Sequence, residues 1–571
     1  MEGNRIGVYI CWCGTNIAKT VDVEKVAEEM KKLDGVVISK SYQYMCSDPG
    51  QEMIVNDIKE HQLKRIVVAA CSPRIHELTF RKTMENAGLN PYMFQMANIR
   101  EQVSWVHSNR EFATQKAIEL VKGAIYRVRL HEPLERRSVE VDPATLVVGG
   151  GIAGITAALT IADAGKKVYL VEKSNNLGGQ IANVDLLFPK LEQASQVIQT
   201  KINRIMEHPE VEIFLNTKVE KISGFIGNFE TYLNHGINKK IKFGNIVLAT
   251  GLKPFMPTSV PSYGYGRLPD VITSLEFEKM LLNGKIRTND GLEPKHLAII
   301  HCVGSRNSYT HEYCSRSCCS TALKYIHQIS SALPEAFIYD VYADMRSFGK
   351  GCEELYTSAS TNNVAFLMFN QENELPTILT SKPGEGHKLT IKFKEKLSGE
   401  LISVPADLVI LMVGMEAQED AKLTSQIFGI SVDKNRFYME KHPKLDPVAT
   451  TTDGIYVVGA CQSPKGVIDC VSQARAASAR VLASIAKKTV DVEVTTASVT
   501  EEVCCGCQTC ISVCPYTAIS SLQDKSVSFV NEVLCKGCGT CSSACPTGAI
   551  HSKHFSYKQI LSQITGIMSK N

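Results

Sequence analysis

Residues 145–172 read TLVVGGGIAGITAALTIADAGKKVYLVE. An apolar run over 146–148 leads into Gly149-x-Gly151-x-x-Gly154, then an alanine-rich helical stretch, then a second apolar run ending at Glu172. Each part has a physical task. The first glycine makes the strand-to-helix turn, the second lets a pyrophosphate approach the backbone, and the third permits close helix–strand packing. The helix N-terminus then offers unpaired amides to the phosphates. Glu172 follows Gly154 by 18 residues, where an acid bonds the ribose hydroxyls. A lone glycine motif is weak evidence, but strand, helix, strand and acid in this order predict a Rossmann-like dinucleotide fold.

Later segments favour FAD over NAD. Gly178-Gly179-Gln180, the strand entering Ala249-Thr250-Gly251 and the late strand GIYVVGA (454–460) are typical of flavoproteins with two dinucleotide-binding domains. In such folds the late segments close over the flavin. The FAD-contacting set is expected to be Gly149, Gly151, Ile152, Ala153, Gly154, Glu172, Lys173, Gly179, Gln180, Val219, Thr250, Gly251, Gly459 and Ala460. Cys461 stands where many such flavoproteins carry an aspartate, which puts the usual ribityl contact in question.

Flavoproteins of this type normally insert a second glycine-rich fold for NAD(P)H. The matching strand is HLAII (296–300), but HCVGSR follows it, with no GxGxxG. A nicotinamide site is therefore expected to be lost. Cys302, Cys314, Cys318 and Cys319 lie there instead, and four cysteines in 18 residues point to a cluster. The plainer alternative is a set of buried structural thiols.

At 571 residues the chain exceeds one hydrophobic core. Its composition is ordinary for a globular protein, at 44% hydrophobic and 21% charged. A net charge of +3 with no basic run gives no case for nucleic acid. No stretch reaches 18 apolar residues, and the N-terminus lacks a secretory pattern, so a cytoplasmic protein is expected. Five segments are expected: an N-terminal α/β domain (1–140), a first FAD-binding part (141–294), a degenerate nucleotide domain (295–400), a second FAD-binding part (401–492) and a ferredoxin-like domain (493–571).

The 20 cysteines are clustered, and nothing points to export, which favours metal ligation over disulfides. Cys504-x2-Cys507-x2-Cys510-x3-Cys514-Pro recurs as Cys535-x2-Cys538-x2-Cys541-x3-Cys545-Pro. This is the bacterial ferredoxin run, in which the fourth cysteine of each repeat ligates the other repeat's 4Fe-4S cluster. One cluster is expected on Cys504, Cys507, Cys510 and Cys545, the other on Cys535, Cys538, Cys541 and Cys514. Zinc sites lack the third and fourth members of such a run. Gly506 and Gly537 relieve crowding where backbone wraps a cluster, and Cys505 falls outside the spacing.

Taken with ICWCGTNIAKTVDVEKV, YMCSDPGQ, ACSPRIHE, ANIREQVSWVH, YCSRSCC and GACQSPKGVIDCVSQA, these residues resemble the A-type flavin subunit of heterodisulfide reductases over essentially the whole chain. The resemblance implies an α/β fold: a thioredoxin-reductase-like FAD core, an N-terminal α/β domain and a C-terminal α+β bacterial-type ferredoxin domain. It also implies a 4Fe-4S cluster of unusual spacing on Cys302, Cys314, Cys318 and Cys319, close to the flavin. VYICWC and IVVAACS read as strands running into a cysteine, so Cys11, Cys13, Cys46 and Cys71 are expected to meet at strand ends and hold a further cluster. Free buried cysteines are the alternative there.

Two departures from the family pattern stand out. Many members insert a second two-cluster ferredoxin domain after a strand corresponding to 218–220, where this chain has the short, cysteine-free GFIGNFETYLNHGINKKIKFGN. A cysteine pair after a TFPTLD-like stretch is also absent, since this chain reads LLFPKLEQASQVIQ. The expected function is that of an electron-relaying or electron-bifurcating oxidoreductase component whose substrate sites lie on partners. Those partners would be heterodisulfide reductase B- and C-like subunits, ferredoxin, and a donor such as a hydrogenase, formate dehydrogenase or NADH-oxidising flavoprotein, in a dimer of a multi-subunit complex. Competing readings are a component of a quinone-interacting oxidoreductase and a non-catalytic electron wire. Lys465, in the loop SPKG, is the candidate for stabilising reduced flavin, with Lys444 a weaker one.

Overall fold

Strand β1 (Ile6–Cys11) is buried along its whole length and alternates between two helical layers. Ile6, Val8 and Ile10 face α1 (Val23–Lys31) and α4 (Arg110–Val128), whereas Tyr9 and Cys11 face α2 (Asp48–Glu60) and α3 (Pro73–Asn86). The period of two along a doubly covered strand explains its near-continuous apolar sequence. With β2 (Val36–Tyr42), β3 (Arg65–Ala70) and β4 (Phe94–Asn98) it forms a parallel sheet of order β2-β1-β3-β4. The computed structural model describes residues 5–135, 137–234, 238–371, 375–492, 494–516, 518–522 and 526–569. Three residues of the short segment in place of the family's insert, 235–237, lie outside that set, as do residues 1–4 of the N-terminus read for a leader.

Met1–Ser138 and Asp491–Asn571 form one compact unit, and Val139–Val490 forms the other. The second unit opens with β5 (Thr145–Val148), α5 (Ile152–Ala162) and β6 (Val168–Val171). Together with β7 (Val211–Phe214), β8 (Asn245–Leu248) and the late β14 (Ile455–Val457) these give a parallel sheet of order β7-β6-β5-β8-β14. Strands from the two ends of the unit thus share one sheet. In the position of the family's insert, Ile222–Phe225, Asn228–Asn234 and Asn238–Phe243 form a three-stranded antiparallel meander.

A second parallel sheet has the order β9-β13-β10-β11-β12, from β9 (Val271–Thr273), β10 (His296–Val303), β11 (Phe337–Tyr342), β12 (Val364–Met368) and β13 (Leu408–Val413). It draws β9 and β13 from either side of segment 295–400. Helix α7 (Ser274–Leu282), with a Thr273/Glu276 capping box, and α8 (Cys318–Ala332) cover one face. Helices α6 (Ala194–Met206), α9 (Cys352–Ser360) and α10 (Ala421–Phe428) also belong to this unit, and the long α11 (Val467–Ala486) packs back on α5 through Ala474, Ala477 and Val481.

The C-terminal part of the first unit contains two short helices, Thr509–Ser512 and Thr540–Ala544, and two antiparallel pairs. Ala497–Val499 pairs with Ile550–Ser552, and Ile519–Ser521 with Ser528–Val530. The repeat in sequence is a repeat in backbone. Gly506 (φ +68°) and Gly537 (φ +62°) are both left-handed, and a Cβ on either would lie 2.3–2.5 Å from a carbonyl oxygen. The last helix, Tyr557–Met568, starts at a Ser556/Gln559 capping box and lies along α4. Arg127 donates to Gln563 Oε1 (3.0 Å) and to the His554 carbonyl (2.8 Å) across this contact.

Candidate functional site

The turn between β5 and α5 opens a cleft of about 540 Å3, within the range of roughly 300–1,000 Å3 typical of ligand sites. Gly149, Gly151, Ile152, Ala153, Glu172, Lys173, Gly179, Gln180, Val219, Thr250, Gly251, Ala460 and Lys465 line it. Gly154 and Gly459 work from behind the wall. A Cβ on Gly154 would come 1.8 Å from the Gly149 carbonyl oxygen, and one on Gly459 (φ +77°) 2.8 Å from Ala153 Cβ. Gly149 takes φ +110°, with the Ala249 carbonyl oxygen 2.3 Å from its virtual Cβ. Between Gly151 and Gly179 only backbone faces the cleft, since a Cβ on Gly179 would already lie 3.1 Å from Gly151 Cα. This is a cradle that a side chain would fill, and it fits a dinucleotide pyrophosphate at the α5 N-terminus.

Glu172 also fastens the loop. Its carboxylate accepts from Gly150 N (2.6 Å), Ser174 N (2.8 Å) and Ser174 Oγ (2.8 Å). Cys461, which in the sequence put the ribityl contact in question, lies behind the cleft wall. Ala460 occupies the cleft wall after Gly459, and Cys461 turns into the core, with its Sγ 3.1 Å from the Val458 carbonyl oxygen. The 3-10 turn Gly459–Cys461 rotates each successive side chain, so a shift of one residue exchanges cleft for core.

Lys465 is 7% exposed and lies in the wall, where burial lowers its pKa. Its ammonium donates to Gly459 O (3.0 Å), Ser463 Oγ (3.1 Å) and Gln462 Oε1 (2.5 Å). Lys444 is exposed and is not part of the cleft lining. Glu278, Lys324 and Tyr325 also line the cleft, and no sequence motif marks them. Lys324 pairs with Glu278, and Tyr325 OH donates to the same carboxylate oxygen at 2.8 Å. A pair 46 residues apart leaves no local spacing to read.

Cys318, the first residue of α8, lines the same cleft. It lies in mutual electrostatic reach of Cys302, Cys314 and Cys319. Burial pushes the Cys302 thiol up to about 12 and Cys318 well above its ordinary value. Four thiols so crowded are unfavourable as free anions, and a bound cluster removes that conflict by neutralising the thiolates it ligates. The donor set fits a cluster. Beyond β10, Gly304 packs against Phe255, whose ring carbons lie 2.3 Å from a virtual Cβ, so that turn offers no open glycine cradle.

Cys11, at the end of β1, Cys71, just past β3, and Cys13 and Cys46 also converge. Cys13 N donates to Cys11 Sγ at 3.3 Å and Arg100 Nη1 to Cys13 Sγ at 3.4 Å. In the C-terminal repeat, Cys514 shares a small cavity with Cys535, Cys538 and Cys541 of the other repeat, and Cys507 interacts with Cys545. Backbone amides point at sulfur, with Ala497 N to Cys535 Sγ at 3.4 Å and Ala518 N to Cys514 Sγ at 3.3 Å. Cys504 is half-buried and Cys510 buried in the same region, while Cys505 is exposed.

Residues 143–300 match the model of the pyridine nucleotide-disulphide oxidoreductase family, and residues 529–551 that of the 4Fe-4S binding domain. The chain is 39% identical to the second CoB--CoM heterodisulfide reductase iron-sulfur protein of A type from Methanopyrus kandleri, with 99% of each chain covered. It is 38% identical to the A-type component of the H(2):CoB-CoM heterodisulfide,ferredoxin reductase of Methanothermobacter marburgensis, over 100% of this chain and 98% of the relative. The chain belongs to the family of heterodisulfide reductase A-type subunits. The alignment with the Methanopyrus protein spans 653 positions, more than this chain's 571, so that relative carries segments this one lacks. Thioredoxin reductase of Lactococcus lactis is similar at 16% identity, covering 60% of this chain and 99% of the other at a TM-score of 0.41. As a member of the heterodisulfide reductase family, the chain is an oxidoreductase, a flavoprotein and a 4Fe-4S protein with an electron-transfer role. Among the described residues no helix is long and apolar enough to cross a membrane.

Proposed function

We propose that this chain relays electrons between FAD in the β5–α5 cleft and 4Fe-4S clusters at Cys302–Cys319, at the two C-terminal cysteine runs and at the N-terminal cysteines. Bound there, FAD exchanges electron pairs for single electrons, and each cluster carries one electron at a time. The observation that carries this reading is the place of Cys318, which lines the cleft and belongs to the four-thiol set. The residues of the chain do the rest. The α5 N-terminus and its glycines receive the pyrophosphate, Glu172 holds that loop, and Lys465 keeps a fixed positive charge at the wall.

In this reading the substrate sites belong to partners. A disulfide-reducing pair of B- and C-like subunits, a ferredoxin and a donor such as a hydrogenase or formate dehydrogenase fit the activities for which the relatives in Methanothermobacter marburgensis and Methanococcus maripaludis are named. Bifurcation is the finer form of the same proposal, and the order of the two flavin potentials decides it. The test is anaerobic purification of the native complex, with iron and flavin counts. Roughly sixteen irons per chain support all four sets, at four per cubane, and roughly twelve remove the N-terminal one. About eight would leave the C-terminal module alone and overturn the relay. Bleaching of the flavin in the isolated chain by NADH would overturn the loss of the nicotinamide site.

A further inference from the structure

All four strands of the N-terminal sheet run parallel, so their carboxyl ends lie along one edge, where open α/β sheets place their ligands. Each strand delivers one part of a common site there. Cys11 ends β1, Cys46 follows β2, Cys71 follows β3 and Arg100 follows β4. The register keeps these ends level. Cys11 pairs with Tyr42, Ala70 pairs with Asn98, and the Ile99 amide donates to the Ala70 carbonyl at 2.9 Å. Cys13 takes a left-handed conformation (φ +50°), which is costly for a residue other than glycine, and its amide reaches Cys11 Sγ at 3.3 Å.

Arg100 opens a single π-helical turn, Arg100–Ser104, a rare form that concentrates at functional sites. The turn is fastened to the cysteine loop. Ser104 Oγ donates to the Asn16 carbonyl, and the Asn16 amide donates to the Cys13 carbonyl at 3.0 Å. The guanidinium itself has three partners. Nε and Nη2 donate to Glu101 Oε1 at 3.1 and 2.7 Å, the Trp105 ring centroid lies 4.9 Å from Cζ, and Nη1 donates to Cys13 Sγ at 3.4 Å. An arginine is not deprotonated in proteins. This one is only 15% exposed, so salt screens its charge only in part.

We propose that Arg100 is the fixed positive charge of the N-terminal cysteine site and raises the potential of the 4Fe-4S cluster held there. A cubane on four thiolates is an anion that gains one further negative charge on reduction, so a cation donating to a ligand sulfur favours the reduced form. Glu101 also lies near Cys71 and offsets part of that charge. Arg100 is a tuning residue and ligates no iron. The inference rests on the reading that Cys11, Cys13, Cys46 and Cys71 hold a cluster, and it names the group that sets how readily that cluster takes an electron.

The test uses the full chain, anaerobically reconstituted with iron, sulfide and FAD. A double variant, Cys13→Ala with Cys71→Ala, first identifies this cluster's electron paramagnetic resonance signal as the one it abolishes. A double variant that keeps its iron and every signal overturns the cluster reading itself, before Arg100 is touched. Iron content and the potential of that signal are then measured for Arg100→Lys, Arg100→Gln and Arg100→Met. The methionine variant should keep its iron while its reduced-to-oxidised ratio at a fixed potential falls roughly tenfold, equivalent to about 59 mV for one electron. Glutamine keeps an N–H but no charge and should fall nearly as far, whereas lysine keeps the charge and should recover most of the loss. A methionine variant at the parent's potential would overturn the inference, and so would a lysine variant that falls as far as methionine. If methionine alone sheds iron, glutamine decides in its place by the same measure. Iron lost from both neutral variants but held by lysine supports the charge as the cause. Iron lost from all three marks a packing role and overturns the inference.

Discussion

Gly123 of α4 and Gly566 of the C-terminal helix meet at the crossing of the two helices: a Cβ on Gly566 would lie 3.0 Å from Gly123 Cα and 2.9 Å from Tyr126 Cβ. A Cβ on Gly123 would lie 2.7 Å from Ile567 Cγ1. Two glycines bring the helices close enough for Ser562 Oγ to donate to the Tyr126 carbonyl (2.9 Å) and Gln559 Nε2 to the Leu130 carbonyl (2.9 Å). A bulky residue must push them apart. Gly566→Leu is expected to cost about 1–3 kcal/mol through overpacking. Hydrogen exchange should show residues 557–568 losing protection while the α5 amides keep theirs. Unchanged protection in the last helix would refute the close crossing.

The same contact carries a pH dependence. His131 and His554 stack with ring centroids 4.1 Å apart. Burial, then the neighbouring His554 and Arg127, hold His131 down at about 3, and burial likewise lowers His554. Both rings are therefore neutral when docked, whereas an unfolded histidine protonates near 6.5. Below that pH the unfolded chain binds more protons, so stability is full above about 6.5 and is lost as pH falls toward 3. The expected slope is up to about 1.4 kcal/mol per pH unit per histidine. His131→Phe should flatten it, as read from unfolding midpoints of the cluster-free chain between about pH 7 and pH 5, a window just around the unfolded histidine value. An identical slope in that variant would exclude the pair as its source.

How much of this is legible in the sequence follows from how local each signal is. The Gly149–Gly154 loop and the C-terminal cysteine runs are short-range spacings, and Gly149, Gly151 and Gly154 lie together at the turn into α5. The helix crossing is different. Gly123 and Gly566 are separated by most of the chain, and each alone reads only as a weak point in a helix. The Glu278–Lys324 pair at the cleft is hidden for the same reason. The placing of Ala460 and Cys461 is hidden for a finer one, because the left-handed Gly459 and the turn after it decide which of two adjacent residues faces the cleft.

Lys465 gives a prediction at the cleft itself. Its ammonium is held by three oxygens, so its charge cannot swing away from the wall. Lys465→Met keeps much of the length of the side chain and removes the charge. FAD retention during anaerobic gel filtration should fall by about tenfold in affinity, of order 1.4 kcal/mol, and the flavin potential should become more negative. Lys444→Met, on the exposed surface, should leave both unchanged. Equal behaviour of the two variants would remove Lys465 from the site.

The exchanged fourth cysteines can be tested by pairing variants. If Cys514 serves the cluster held by Cys535, Cys538 and Cys541, then Cys514→Ala with Cys535→Ala damages one cluster, whereas Cys514→Ala with Cys504→Ala damages two. The first double variant should lose roughly four irons per chain and the second roughly eight, at four per cubane. The opposite ranking would mean that each run holds its own cluster. The cavity shared by Cys514, Cys535, Cys538 and Cys541, and the contact of Cys507 with Cys545, favour the crossed arrangement. A run that closed on itself would have to bring Cys514 out of that cavity and over to Cys504, against the Ala518 amide that now holds its sulfur at 3.3 Å.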